Sequence, residues 1–287
     1  CSSYSRIRSG SMWNGTHVSV YIPSRLKNGN TAPVVVFLHG FLMVAPQIYQ
    51  GLIEHQVYQG NIVICPQSNI GNPLKMLGDT DQNVMLARAL ANARKGFRIA
   101  GVKADLANVV VAGHSLGGLL AACWIGAGGV KPKALVLMNP STDATAGMPD
   151  FASGLVKITP VDWRSKDAAV DVPAVILTGD RDTIAPPAQA VDLRNSMVRA
   201  PAGTVYCLQS DARGKPVLSA DHNASMCDDG FIPSFLMNFA GGDAEVDATD
   251  YRYYWAALDA AVAGETSPAF DMGTWSDGKP VKPVIVL

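Results

Sequence analysis

Five short apolar runs punctuate the chain: Pro33–Leu38, Ile62–Pro66, Val109–Gly113, Ala134–Met138 and Ala174–Thr178. They are apolar almost throughout rather than alternating, which predicts strands buried on both faces of a parallel sheet. Gly203–Leu208 reads as the last clear strand. Helical periodicity fills the gaps. Pro46–Tyr58 and Pro187–Val198 read as helices, and Asp79–Phe97 carries Leu86, Leu90, Ala93 and Phe97 on one stripe. A final helix runs through Val262, capped by Asp250. Ahead of the first run, Thr16–Ile22 alternates moderately and stops at Pro23, as an edge strand would, and Lys27–Asn30 has the composition of a hairpin turn. Strand and helix alternate from end to end, so the fold class is α/β, with a mostly parallel central sheet flanked by helices. Ser141–Val172 is irregular and rich in Asp, Ala, Gly and Pro, and is expected to be a long loop or small cap rather than a large lid domain. The expected organisation is a polar tether over residues 1–12, one α/β domain over 13–265 and a tail over 266–287 packed on it.

The run Val109–Gly113 leads into His114-Ser115-Leu116-Gly117-Gly118 and then into small and apolar residues at helical spacing, Leu119 to Trp124. G-x-S-x-G between a buried strand and a helix is the pattern of a nucleophile elbow. The turn forces its serine into an unfavourable backbone conformation, and glycines two before and two after remove the side chains that would clash there. The hydroxyl is then exposed at the carboxyl edge of the sheet, beside a helix N-terminus that favours developing negative charge. A chain with 27 glycines can produce the five-residue match by accident. The strand before it and the helix after it are what make Ser115 a candidate nucleophile.

A serine hydroxyl needs a base within hydrogen-bond reach and a group that holds the base. Of the five histidines, His17 lies in the early edge strand, His39 precedes the Gly40 turn, His55 is on a surface-type helix, and His114 points elsewhere on the tight turn. His222 follows all the strands, in the loop Ser219–Asn223. After an elbow the acid and then the histidine follow in chain order, so His222 is the candidate base. The loop after Ala174–Thr178 offers two acids. Asp182 lies further past the strand end and is the choice; Asp180, beside Gly179, more plausibly braces the turn or pairs with Arg181. Asp143, Asp162 and Asp167 follow no buried strand directly. Two backbone N–H donors are also required for the oxyanion. Leu116, after the serine, provides one, and the loop His39-Gly40-Phe41 provides the other as the Phe41 amide.

These residues together resemble the α/β-hydrolases, nearest in pattern to the chlorophyllase, dienelactone hydrolase and cutinase-like polyesterase groups. Pro33–Phe41, Ile62–Gln67 and Gly113–Gly118 are similar to the chlorophyllase-type core, whereas the acid loop Gly179–Pro186 resembles the polyesterases more. The resemblance spans about residues 30–225. It implies an α/β-hydrolase fold, a triad of Ser115, Asp182 and His222, and an oxyanion hole at Phe41 and Leu116. One position departs from it. Chlorophyllases usually carry Arg after the nucleophile, where Leu116 stands here, so the resemblance does not carry chlorophyll over as the substrate. In polyesterases an aromatic after the sixth strand stacks on substrate, and Trp163 is the candidate for that part.

Composition narrows the partner. Only 16% of residues are charged, the net charge is −1 and the pI is about 6.6, so nothing points to nucleic acid or an anionic membrane. The expected partner is a small-molecule or polymeric ester, acted on by a monomer that needs no cofactor and no metal. Leu42, Met43, Ile184 and Phe231, with Phe41, Leu116 and Trp163, supply an apolar cleft if their loops converge. Asp243, Asp247 and Asp250 are spaced loosely like a cation loop, but a solvated loop leading into a capped helix explains them better. The sequons Asn14-Gly15-Thr16 and Asn223-Ala224-Ser225 read as chance matches, the second abutting His222.

The cysteines are scattered. Cys65 and Cys123 read as small buried hydrophobes, and Cys207 and Cys227 bracket the His222 loop closely enough for a bridge closing about 20 residues. Cys1, followed by Ser-Ser-Tyr-Ser, looks like the start of a mature bacterial lipoprotein. That likeness implies a lipid on Cys1, membrane contact through it alone, and an extracytoplasmic location. A boundary falling on cysteine by chance is the other reading. The function expected from the whole is a serine hydrolase cleaving carboxylic esters through an acyl-enzyme. A lipid-anchored binding protein with an idle triad, or an amide or peptide hydrolase, shares every motif.

Overall fold

The computed structural model describes residues 2–143, 145, 157–227 and 244–287, and among these nine strands form one sheet. They are β1 (Tyr4–Ser9), β2 (Val18–Pro23), β3 (Ala32–Leu38), β4 (Ile62–Pro66), β5 (Ala104–His114), β6 (Ala134–Met138), β7 (Ala174–Gly179), β8 (Gly203–Leu208) and β9 (Ile285–Val286). In space the order is β1-β2-β4-β3-β5-β6-β7-β8-β9. The strands from β3 to β8 are parallel; β1 and β2 run antiparallel at one edge and β9 at the other. The helices are α1 (Gln50–Tyr58), α2 (Gln82–Ala100), α3 (Leu116–Ala122), α4 (Trp163–Asp167), α5 (Pro187–Ser196) and α6 (Trp255–Ala263).

The unbroken apolar runs have a simple cause. On β3, Val35 and Phe37 enter the core under α1 and α6, whereas Val34, Val36 and Leu38 enter the core under α2, α3 and α5. Val110 and Ala112 of β5 likewise face the first core, and Val109 and Val111 the second. Both faces of these apolar runs are covered, so no position in them is left for water. Right-handed crossovers place α1, between β3 and β4, and α2, between β4 and β5, on opposite faces, because the chain reverses its direction across the sheet. That reversal separates the carboxyl ends of β3 and β5, where Leu38 pairs with Gly113. Open α/β sheets bind ligands in the crevice beyond such a switch point.

Several expectations need correction. Tyr4–Ser9, assigned above to a tether, forms β1: its polar residues suit an exposed edge, and Tyr4 packs on Tyr21 and Tyr58 with both ring centroids 5.8 Å away while its hydroxyl donates to Glu54. The following strand is therefore not the edge, and all of Val18–Pro23 is buried. Ser141–Val172 is not wholly irregular, since Asp162 accepts from the Ser165 N–H and starts α4. The last helix is capped earlier than Asp250. Asp247 accepts from the Thr249 N–H at 2.6 Å while its own N–H donates to Asp250 at 3.0 Å, and the π-helical turn Asp250–Tyr254 then leads into α6. Cys207 and Cys227 form no bridge. Cys207 is fixed in β8, Cys227 packs beside Gly51 of α1, and these two, with Cys65 and Cys123, are free and buried. Cys1, Phe231 and Asp243 lie outside the described residues.

Candidate active site

The elbow is built from backbone constraints. Ser115 has φ 55° and ψ −123°, a conformation costly for a side-chain-bearing residue. Three backbone bonds hold it: the Ser115 N–H donates to the Met138 carbonyl at 2.9 Å, and the Ser115 carbonyl accepts from the Leu119 N–H at 3.1 Å and the Ser141 N–H at 3.2 Å. A Cβ at Gly113 would overlap the Gly117 carbonyl, and one at Gly117 would overlap the Leu38 carbonyl, so both glycines of the motif are forced by close approach.

Three groups converge on this turn. The Ser115 Oγ lies 2.8 Å from His222 Nε2, and His222 Nδ1 lies 2.8 Å from Asp182 Oδ2 and 3.0 Å from Oδ1. His222 and Asp182 are 4% and 3% exposed, so the pair interacts with little competition from water. The carboxylate accepts further bonds at Oδ1 from the N–H groups of Ile184 (3.0 Å) and Ala185 (2.7 Å). At Oδ2 it accepts from Asn139 Nδ2 at 2.8 Å. Since a carboxylate only accepts, His222 Nδ1 carries the proton and Nε2 is free to take one from Ser115. Asp180 has the other task foreseen for it: Oδ1 accepts from the Ser210 N–H and hydroxyl, bracing the ends of β7 and β8.

The loop after β3 lies against the serine. A side chain on Gly40 would meet Ser115 Cβ at 3.5 Å and the His114 and Tyr49 side chains at 3.3 Å, so the Gly40–Phe41 peptide packs beside Ser115. His39 fixes that peptide. Its Nε2 accepts from the Ser68 N–H at 3.0 Å, which leaves Nδ1 to donate to the Gly40 carbonyl at 2.7 Å. Burial pushes the His39 imidazole down to about 4, so it stays neutral and keeps this tautomer. In a trans peptide N–H and C=O point oppositely, so the Phe41 N–H is turned away from His39. Leu116 opens α3, and its N–H is among those at a helix start with no intrahelical acceptor.

The apolar candidates divide. Leu42 is half-buried with φ 63°, its N–H donating to Asn69 Oδ1 at 3.2 Å, and Ile184 is half-buried beside Asp182. Phe41 packs against the core under α2, α3 and α5, and Met43 against the core on the other face. Trp163 opens α4 and is half-buried. It packs on the core under α2, α3 and α5 with the Arg164 guanidinium 4.2 Å above its ring, and no described contact joins it to Ser115 or His222. Sequence reasoning missed Asn139, His114, Tyr49 and Tyr254. Asn139 closes β6 at φ 46°, and an Asn immediately before Pro140 is the one local signal that marked it.

Among the described residues no cluster of three or more His, Cys, Asp or Glu side chains could hold a metal, and no helix is long and apolar enough to cross a membrane.

Fold and site together define an α/β-hydrolase. By sequence, residues 5–185 match the chlorophyllase family, and the chain belongs to that family. Comparison with curated proteins finds no match. Among solved structures, a thermophilic esterase from Thermogutta terrifontis is similar over 78% of this chain and 85% of its own, at 17% identity and a TM-score of 0.54. A putative dienelactone hydrolase from Klebsiella pneumoniae is similar over 72% and 85%, at 15% identity and a TM-score of 0.51. In a bifunctional GH43-CE protein of Bacteroides eggerthii the likeness covers 70% of this chain but 32% of the other, at 16% identity and a TM-score of 0.51.

Proposed function

We propose that the protein is a serine hydrolase of carboxylic esters, with Ser115 as nucleophile, His222 as base and Asp182 as the acid that orients it. The observation that carries this reading is the relay Ser115 Oγ, His222 Nε2 at 2.8 Å, and Asp182 at 2.8 Å from His222 Nδ1, set on a strained elbow. His222 takes the Ser115 proton as Oγ attacks the ester carbonyl, and the oxyanion of the tetrahedral intermediate is received by the Leu116 and Phe41 amides. Collapse expels the alcohol, which takes its proton back from His222, and leaves an acyl-serine. Water then repeats the sequence, with His222 as base, to release the acid. The apolar side chains of Leu42, Phe41 and Ile184 around this edge favour an apolar or polymeric ester.

The test is a panel of p-nitrophenyl esters of increasing acyl length, together with labelling by a fluorophosphonate. Hydrolysis in the native protein, its loss by about a thousandfold or more in Ser115→Ala, and label on Ser115 alone support the reading. Native protein that neither turns over the esters nor takes the label at Ser115 overturns it.

A further inference from the structure

Asn139 and Tyr254 are buried polar side chains that the proposed reaction does not use, and they meet at Asp182. The Tyr254 hydroxyl lies 2.7 Å from Asn139 Oδ1, and Asn139 Nδ2 lies 2.8 Å from Asp182 Oδ2. The amide cannot be turned round. A carboxylate accepts only, so Nδ2 must face Asp182, Oδ1 must face Tyr254, and the tyrosine must donate. Burial first, then the neighbouring Tyr253, Asp182, Asp221 and Asp250, pushes the Tyr254 phenol well above its ordinary range, which keeps it a donor.

Two features of the chain produce this contact. Asn139 sits in the left-handed region, which Asn tolerates better than most residues, so its side chain leaves the end of β6 toward the acid loop. The π-helical turn Asp250–Tyr254 brings two consecutive tyrosines into the interior. The Tyr253 hydroxyl donates within hydrogen-bond reach of the Tyr206 carbonyl (2.7 Å) and the Thr178 carbonyl (2.9 Å) and accepts from the Thr178 N–H (3.1 Å), tying β7 to β8. Tyr254 is thereby held next to Asn139. Irregular π turns are frequent at functional sites.

We propose that Asn139, polarised by Tyr254, is a positioning residue that fills the second lone pair of Asp182 Oδ2 and so sets how strongly the carboxylate acts on His222. This rests on the reading of Ser115, His222 and Asp182 as the catalytic relay. Asp182 has about four lone-pair sites. The N–H groups of Ile184 and Ala185 donate to Oδ1, which His222 Nδ1 also reaches at 3.0 Å, while its shorter 2.8 Å contact shares Oδ2 with Asn139. Without the amide, the charge on Oδ2 is left to His222 alone, and the imidazolium formed during reaction is favoured more in the resting enzyme. The base is then protonated at a pH where the native enzyme is active. The other ionisable groups near the pair are His114 from the elbow and Tyr254 from the π turn, and Tyr253, Asp221 and Asp250 act on Tyr254 in turn.

The variants are Asn139→Gly, which keeps the left-handed backbone and removes the amide, and Tyr254→Phe, which removes one hydroxyl. For Asn139→Gly, kcat is expected to fall about ten- to a hundredfold, the size of one hydrogen bond to a charged group, with KM unchanged. The acidic limb of its pH profile moves to higher pH, and Tyr254→Phe moves it the same way by less. The midpoint of the His222 ring titration, followed by NMR without substrate, moves with it. If the native protein hydrolyses no ester, the hydrolase reading fails, but the ring titration still decides the role of the amide. Folded variants with the native midpoint in both cases overturn the proposal, whatever their activity.

Discussion

His114 Nε2 lies 2.8 Å from the His222 carbonyl oxygen, and on the other side of the ring Nδ1 lies 3.0 Å from the Tyr49 hydroxyl. A carbonyl accepts only, so Nε2 carries the proton and Nδ1 accepts from Tyr49. Burial, with His222 close by, pushes the ring down to about 3 and keeps it neutral. Tyr49 in turn accepts from the Gly40 N–H at 3.0 Å. The residue beside the candidate nucleophile therefore joins the loop that carries Phe41 to the loop that carries His222, through one chain of bonds with a single direction.

Tyr49→Phe cuts that chain at its middle. Gly40 N–H loses its acceptor and His114 Nδ1 its donor, both in a buried setting, so stability is expected to fall by about 1–3 kcal/mol. Urea unfolding measures this. Ester hydrolysis under conditions where the variant remains folded should fall as well, because both loops are released together.

The identity of the acid is tested by a pair of neighbours. Asp182→Asn removes the acceptor that fixes the His222 tautomer, and kcat is expected to drop by about 10³ or more with little change in KM. Asp180→Asn weakens the brace to Ser210, and costs about 1 kcal/mol of stability or less while activity per folded molecule stays near native. Chemical denaturation and kcat measured on both variants separate the two roles.

The contrast between these residues shows what the sequence makes legible. Val34 to Leu38 reads as a strand because both its faces are buried, and composition alone records that. Ser115 reads as an elbow because the glycines that mark the turn, Gly113 and Gly117, lie within two residues of it. Asp182 reads as the candidate acid by its distance past a strand end. By contrast, β1 has one neighbouring strand and polar side chains, and Tyr4 is held by Glu54, fifty residues away in the chain. Asn139 meets partners 43 and 115 residues distant, and no local pattern announces such a meeting. Trp163 is a candidate only through the family resemblance, and in the fold its ring packs on the core under α2, α3 and α5.

Gly117→Ala examines the elbow directly. The added Cβ would overlap the carbonyls of Leu38 and His39, backbone atoms of β3 and the loop after it that cannot rotate aside. Relief requires β3 and α3 to separate, so the expected outcome is a loss of about 2–4 kcal/mol together with loss of turnover. Gly128→Ala is the control. No neighbour lies within 4 Å of its Cβ, and its positive φ of 77° limits the cost to about 1 kcal/mol, without effect on the active site.

Asp250 couples stability to pH. Burial, the largest cause, raises its carboxyl from the ordinary 3.8 to about 7, against the Asp247 N–H bond that favours the ionised form. Its Oδ1 accepts from the Cys227 thiol at 3.5 Å. The folded protein therefore holds a proton that the unfolded chain has released between these two values. Stability contributed by this group is complete below pH 3.8 and is lost as pH rises toward about 7, a total on the order of a few kcal/mol. Asn has the shape of the protonated acid, can accept from Asp247 N–H and does not ionise. Asp250→Asn should accordingly leave the melting temperature little changed at pH 4 and raise it at pH 8. Thermal unfolding of native and variant protein across that range gives the difference curve, and a variant equally shifted at both ends would show that Asp250 is ionised throughout.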